Sequence, residues 1–136
     1  MRRILIALAI AIAVILPGFA LTGGPTALRS LGPQSAAADS CWLSSTSLGT
    51  SGSYIIGQGV IECSTVLYRT LRVFIIQDGV SRASGTTTGT NKVLWSSPSC
   101  QIQYAGPYPS YIRVQLTSSS GFVWNWYGPT KYLPRC

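Results

Sequence analysis

Four cysteines constrain this chain more than any other feature of its sequence. They stand at positions 41, 63, 100 and 136, beyond an apolar N-terminal block, and are separated by 22, 37 and 36 residues. Because no two cysteines are close together and the chain has no histidine, the spacing argues against a zinc site. In a small exported chain, an even number of cysteines instead indicates two disulfides, and three pairings are open.

Export is predicted from the first twenty residues. Met1-Arg2-Arg3 is followed by thirteen uncharged apolar residues, Ile4 to Leu16, and then by Pro17-Gly18. This basic start and short apolar run are typical of a secretory signal peptide, since a membrane span needs about 20 apolar residues. We therefore expect a secreted, extracellular protein without a membrane anchor once residues 1–20 are removed.

The cleavage site is open between two positions. Small residues precede the bond after Ala20, whereas the three alanines that end at Ala38 fit the small-x-small pattern better but lie farther from the apolar run. Cleavage after Ala20 leaves residues 21–40 as a flexible arm or pro-segment, and cleavage after Ala38 leaves no arm. Residues 41–136 are the predicted folded domain.

The composition argues against most enzyme classes. The 136 residues include 10 Lys and Arg, 3 Asp and Glu and no His, which gives a formal net charge of +7. A sequence without His has no Ser-His or Cys-His dyad, and three acids leave little for carboxylate pairs. Motifs for binding nucleotides, calcium or zinc are also missing from the sequence. We therefore expect no enzymatic activity, no cofactor and no metal.

Beyond residue 40, apolar residues recur with period two between clusters of Gly, Pro and Ser, a pattern that indicates β-strands. We predict an all-β fold: a small antiparallel two-sheet sandwich with Greek-key, immunoglobulin-like connections, six to seven strands and two disulfides. The predicted strands are Tyr111–Thr117, which is the clearest, and Trp42–Thr46, Tyr54–Glu62, Thr65–Ile76, Val93–Ser96, Gln101–Tyr104 and Gly121–Tyr127, with a last short segment at Lys131–Arg135.

Turn-forming residues separate these strands. Turns or loops are predicted at Gly49–Ser53, Asp78-Gly79, Ser81–Asn91, Gly106-Pro107-Tyr108-Pro109, Ser118–Gly121 and Gly128-Pro129. Gly57 and Gly59 lie inside a predicted strand, and we interpret them as a β-bulge or kink.

The chain ends in Tyr132-Leu133-Pro134-Arg135-Cys136. This ending, with a four-cysteine frame in a small exported all-β chain, resembles the tendamistat-type α-amylase inhibitors. The resemblance implies a two-sheet sandwich with the disulfides Cys41–Cys63 and Cys100–Cys136, and it places Ser64–Ile76 on the strand after the second cysteine. The Trp-Arg-Tyr triplet with which that family occupies the amylase cleft is absent between Cys41 and Cys63.

Aromatic residues supply the candidate partner-binding positions. Tyr54, Tyr108 and Tyr111 lie near predicted loops, where tyrosine commonly adds contact area at binding surfaces. An ordinary surface role explains these three tyrosines equally well. Trp124 and Trp126 share one strand face with Phe122, and we interpret that face as core. A partner-binding role for this face requires that one of the two tryptophans is exposed.

Two functions fit these observations. The first is a secreted, non-enzymatic inhibitor or protein-binding module that presents a rigid loop to a glycoside hydrolase such as α-amylase. The second is an adaptor subunit of a secreted multi-protein assembly, which binds its partners through the arm at residues 21–40 and the sandwich surface. By its build, such a chain is similar to the small bridging subunits of the secreted umbrella toxins.

In both hypotheses the partner is another secreted or cell-surface protein, and the sequence does not indicate an oligomeric state. The basic residues form no contiguous cluster, which argues against nucleic acid as a ligand. Anionic cell-wall polymers and acidic protein surfaces are better targets for such diffuse positive charge.

Overall fold

The computed structural model describes residues 39–136, so that the predicted signal peptide and most of the predicted arm lie outside the described residues. Within residues 39–136 the chain forms nine strands and no helix. The strands are β1 (Cys41–Ser51), β2 (Tyr54–Cys63), β3 (Arg69–Gln77), β4 (Val80–Gly89), β5 (Val93–Ser96), β6 (Ser99–Gln101), β7 (Tyr104–Ser118), β8 (Val123–Tyr127) and β9 (Lys131–Arg135).

The strands pair in two antiparallel sheets, which confirms the predicted two-sheet, all-β architecture. The four-stranded sheet has the order β1-β2-β5, with β6 also paired to β2. The five-stranded sheet has the order β4-β3-β7-β8, with β9 also paired to β7. Because β5 and β6 pair with successive parts of β2, and β8 and β9 with successive parts of β7, each pair of short strands continues a single line along its neighbour.

The core lies between the sheets and is built from the alternate residues of three strands. Successive side chains of a strand point to opposite faces, so every second residue is buried in β2, in β3 and in β7 from Ser110 to Leu116. The buried apolar side chains of this core cluster are Leu48, Ile55, Ile61, Cys63, Leu71, Val73, Ile75, Leu94, Ile112, Val114 and Leu116. Trp124 and Trp126 are half-buried and pack against this cluster, as expected for a core face, whereas Phe122 of the same predicted face is exposed.

Two disulfides, Cys41–Cys63 and Cys100–Cys136, tie the ends of the sandwich. This is the pairing that the tendamistat-like frame implies. The first bridge joins the start of β1 to the end of β2, and the second joins β6 to the C-terminal residue. The linked residues are 22 and 36 positions apart, so each bridge stabilises the fold by about 3 to 4 kcal/mol in the chain-entropy account.

The prediction of a polar loop at Ser81–Asn91 is wrong, because most of this stretch is the edge strand β4. Ser84, Thr86 and Thr88 are exposed on one face, and the other face carries Gly85, Gly89 and the half-buried Thr87. Gly85 lies so close to the end of β5 and the residues that follow it that an added Cβ would meet Ser96 Oγ and Pro98. A strand without large inward side chains has no apolar alternation for sequence reasoning to detect.

Gly57 and Gly59 do not form the expected bulge. Their pairing with β1 is regular, and the register shift instead falls in β1, between Leu43 and Ser45. A Cβ on Gly59 would lie 2.7 Å from Val114 Cγ2 and 2.9 Å from Val73 Cγ2. Glycine is therefore needed here because the opposite sheet approaches closely, which is a packing requirement rather than a backbone one.

Several other boundaries differ from those expected. Strand β1 continues to Ser51, over most of the predicted Gly49–Ser53 turn, and the predicted strand Gln101–Tyr104 is interrupted between β6 and β7. The segment Gly106–Pro109 is not a turn but part of β7, where the pairing with β9 is irregular between Tyr104 and Tyr108. The strand expected from Thr65 begins only at Arg69, so Ser64–Tyr68 is a loop. The predicted turn at Asp78-Gly79 is confirmed: both residues have positive φ, 51° and 76°, as a two-residue type I′ hairpin requires.

Candidate binding surface

The β2–β3 loop, Ser64–Tyr68, exposes three large apolar side chains in a row. Val66, Leu67 and Tyr68 retain 61%, 45% and 54% of their accessible surface. Single exposed apolar residues are common on folded proteins, but a run of adjacent ones has an unfavourable hydration cost and typically marks a binding site. We refer to Ser64–Tyr68 as the apolar loop.

A buried arginine holds the backbone of this loop. Arg69, the first residue of β3, has no accessible surface. Its Nη1 donates hydrogen bonds to the carbonyl oxygens of Thr65 at 3.1 Å and Leu67 at 3.0 Å, and its Nη2 donates to Thr65 Oγ1 at 2.8 Å. The guanidinium thus binds two carbonyl groups of the loop at once, and its fixed planar geometry restrains their positions.

Asp39 neutralises the arginine. Its carboxylate accepts hydrogen bonds from Arg69 Nε at 3.2 Å and from Nη2, and it accepts a third from the Thr65 hydroxyl at 2.5 Å. Burial alone would raise the pKa of Asp39, but the hydrogen bonds from Arg69 and Thr65 and the charge of Arg69 outweigh burial and lower the pKa below its ordinary value of 3.8. The carboxylate is therefore ionised at neutral pH.

The base of the apolar loop is tied to the start of β1 by further bonds. The disulfide Cys41–Cys63 lies directly before the loop. Ser64 N donates to Ser40 O at 2.8 Å, and Ser40 N donates to Ser64 Oγ at 3.1 Å. Asp39 and Ser40, the last two residues of the predicted flexible arm, are consequently held against the domain.

An open groove of about 440 Å³ borders the apolar loop. It is lined by the apolar side chains of Leu67, Phe122 and Trp124 and by Asp39 and Ser118–Ser120. The Phe122 and Trp124 rings meet edge to face with their centroids 4.6 Å apart, and Phe122 is exposed. The groove thus combines apolar walls with hydroxyl groups beside the loop.

Apolar surface also continues onto the outer face of the four-stranded sheet at the same end of β2. Trp42 and Val93 flank Glu62 in the register of the sheet, and Trp95 lies opposite Val60. Trp42, Val93 and Trp95 are all exposed. Together with the loop, these residues form an exposed apolar surface at this end of β2.

The five residues expected to contact a partner are not brought together. Tyr54 is exposed at the start of β2, roughly 30 Å of strand from the apolar loop. Tyr108 is half-buried, and the Arg135 guanidinium lies over its ring, 4.1 Å from the centre of the ring. Tyr111 lies on the outer face of the five-stranded sheet. Trp124 and Trp126 point inward, and only Trp124 reaches the groove.

Sequence reasoning missed the apolar loop for a physical reason. Val66, Leu67 and Tyr68 are strand-forming residues next to a genuine strand, so local preference extends that strand over them. The burial of Arg69 is equally hard to predict from the sequence, because arginine is almost never fully buried unless it is paired. Its pairing with Asp39 spans 30 positions and has no local signature.

Comparison of the chain with known proteins gives no match among protein-family models, curated proteins or solved structures. Within residues 39–136, no group of three or more His, Cys, Asp or Glu side chains is placed to hold a metal ion. The same part of the chain contains no helix long and apolar enough to cross a membrane.

Proposed function

We propose that the protein is a secreted, non-enzymatic protein-binding module whose contact surface is the apolar loop with its adjoining groove. The observation that carries this proposal is the combination of three adjacent exposed apolar side chains with a loop backbone fixed by Arg69. A rigid loop loses little conformational entropy on binding, so its apolar contacts translate efficiently into affinity. The two disulfides are compatible with an extracellular location.

A partner with a cleft fits this surface best. An exposed, disulfide-anchored loop with apolar side chains can enter a concave site, as protein inhibitors of secreted hydrolases do. A glycoside hydrolase such as an α-amylase is the class that the tendamistat-like frame suggests. The tendamistat triplet is absent, so the contacts proposed here are those of Val66, Leu67 and Tyr68 instead.

One observation also favours the adaptor function. Asp39 and Ser40 are bound beside the apolar loop, so any arm that precedes them leaves the domain next to the same surface. An arm and a loop that address one partner together would link two binding events through a short connection. In this version the protein joins subunits of a secreted assembly rather than inhibiting an enzyme.

The test compares two triple variants of the exported protein. V66S/L67S/Y68S removes the proposed contacts, and V80S/Y104S/Y132S removes three other exposed apolar side chains near the Asp78 end of β3. Each is used for affinity capture from the culture fluid and in inhibition assays with a panel of α-amylases and other secreted hydrolases. The loop variant is expected to weaken a partner's binding at least about tenfold, while the control binds normally.

Equal behaviour of the two variants would refute the apolar loop as the contact surface. A protein that binds wild type and control but not the loop variant supports the proposal, and the assays then separate the two functions. Inhibition of the captured enzyme favours the inhibitor. Capture of a non-enzymatic protein that also requires residues 21–38 favours the adaptor.

A further inference from the structure

The outer face of the five-stranded sheet has a different chemistry from the apolar loop. One row across the strands contains Thr86, Arg72, Gln115 and Asn125, and the next contains Ser84, Phe74, Arg113 and Tyr127. These residues alternate with the buried Val73, Val114 and their neighbours, so they face away from the core. We refer to these eight residues as the cationic face.

No carboxylate neutralises the two arginines of this face. The acids of the described chain are placed elsewhere: Asp39 pairs with Arg69, Asp78 pairs with Arg135, and Glu62 lies on the four-stranded sheet. Within residues 39–136, neither Arg72 nor Arg113 forms an ion pair. Because Arg72 is opposite Gln115 and Arg113 is opposite Phe74, the two arginines are diagonal neighbours on adjacent strands.

Arg113 is already positioned for an anionic ligand. Its guanidinium lies over the Phe74 ring, 4.3 Å from the ring centre, and its Nε is buried without a hydrogen-bond partner. Stacking on an aromatic ring fixes the plane of a guanidinium and reduces the entropy that it loses on binding an anion. The planar group can then donate paired hydrogen bonds to a carboxylate, sulfate or phosphate.

The remaining groups of the face fit a sugar. The amides of Gln115 and Asn125 form a hydrogen-bonded pair at 3.2 Å, and the hydroxyls of Thr86 and Ser84 lie on the edge strand β4. Tyr127 is exposed and presents a ring on which a sugar can stack. Amides, hydroxyls and an aromatic ring beside two unpaired arginines match a polymer that carries both hydroxyl groups and regularly spaced anions.

We propose that the cationic face binds an anionic polysaccharide, such as a sulfated or uronic-acid-containing glycan. The open face of a sheet offers many weak contacts along a chain rather than a deep pocket, which suits an extended polymer. This site is separate from the apolar loop, so the protein can hold a polymer and a protein partner at the same time. Such an arrangement would concentrate the module on a charged cell surface or matrix.

The test is retention on immobilised heparin, a sulfated polysaccharide, with immobilised neutral dextran as the comparison matrix. R72Q removes one arginine from the cationic face, and K92Q removes the same charge from the exposed β4–β5 loop. Wild type is expected to bind heparin and not dextran. R72Q is expected to lower the affinity about tenfold and to elute at lower salt, since it loses a charge-assisted contact, while K92Q elutes close to wild type.

Three results would overturn the proposal: no retention of wild type on heparin, equal shifts for R72Q and K92Q, or tighter binding to duplex DNA than to heparin. The second result would mean that only net charge matters. V66S/L67S/Y68S serves as an independent variant and is expected to bind heparin like wild type. Heparin binding by that variant therefore tests the cationic face whether or not the apolar loop binds a protein.

Discussion

The two ends of β3 are each closed by a fully buried polar side chain, but one is charged and the other is neutral. At the start of the strand, Arg69 binds Asp39 and the apolar loop. At its end, Gln77 donates hydrogen bonds to Ser110 Oγ at 2.9 Å and Pro134 O at 2.7 Å, and its Oε1 accepts one from Cys136 N at 3.1 Å. We refer to Arg69 with Asp39 as the charged hub and to Gln77 as the neutral hub. Each hub lies beside one of the two disulfides.

The difference teaches what each end requires. A buried cation is tolerated only with an anionic partner, so the loop end depends on a carboxylate from outside the strands, and both members of the pair must be present. A buried amide needs hydrogen bonds but no counter-charge, so neutral groups alone satisfy Gln77 at the C-terminal end of β3. The end that we assign to partner binding is thus the one whose stability depends on an ion pair, and therefore on pH.

The largest effect is expected from breaking the charged hub. Asp39→Asn leaves the fully buried Arg69 without a counter-ion, which is expected to lower the free energy of unfolding by about 3 kcal/mol. Glu62→Gln, which removes an acid from the outer face of the four-stranded sheet, should stay within about 0.5 kcal/mol of wild type. Urea denaturation measures both. A loss below about 1 kcal/mol for the Asp39 variant would show that the pair is not needed.

A smaller effect is expected from breaking the neutral hub. Gln77→Leu leaves Ser110, Pro134 and the amide of Cys136 without their shared partner, at a cost of about 1 to 3 kcal/mol. The matched control is Gln115→Leu on the exposed face of the same sheet, where water replaces the lost hydrogen bond. If both leucine variants lose the same stability in urea denaturation, Gln77 is not a hub.

The pH dependence should separate the two ends. The pKa of Asp39 is lowered in the folded protein relative to the unfolded chain, so the unfolded chain binds a proton first as the pH falls. This contribution to stability is present above the ordinary value of 3.8 and is lost as the pH falls through the folded pKa. Unfolding free energies measured between pH 6 and about 2 should fall more for wild type than for Asp39→Asn; parallel curves would contradict this assignment.

The smallest effect is expected at the second ion pair, between Arg135 and Asp78. Both side chains keep about a third of their surface, 30% and 34%, so water screens the pair. Arg135→Gln is therefore expected to cost no more than about 1 kcal/mol, including the lost contact with the Tyr108 ring. A cost in thermal or urea denaturation as large as that of Asp39→Asn would mean that charge supports both ends equally.

Prediction from sequence succeeded where local chemistry decides the structure. The Asp78-Gly79 hairpin follows from two residues that tolerate positive φ, and the bounds of β5 and β9 follow from short strand-forming runs between turn residues. It failed where a distant partner decides. Edge strand β4 is defined by its pairing with β3, and the apolar loop stays out of β3 because Arg69 binds its carbonyl groups. No local pattern carries either of those contacts.

The claim that Arg69 and Asp39 hold the apolar loop rigid is tested most directly by backbone ¹⁵N relaxation. For Val66 and Leu67 in the wild type, we predict order parameters of about 0.85, as in the flanking strands, and values falling toward about 0.6 in Asp39→Asn, while residues 131–135 stay unchanged. Low order parameters for this loop in the wild type, or equal values in the two proteins, would contradict the account.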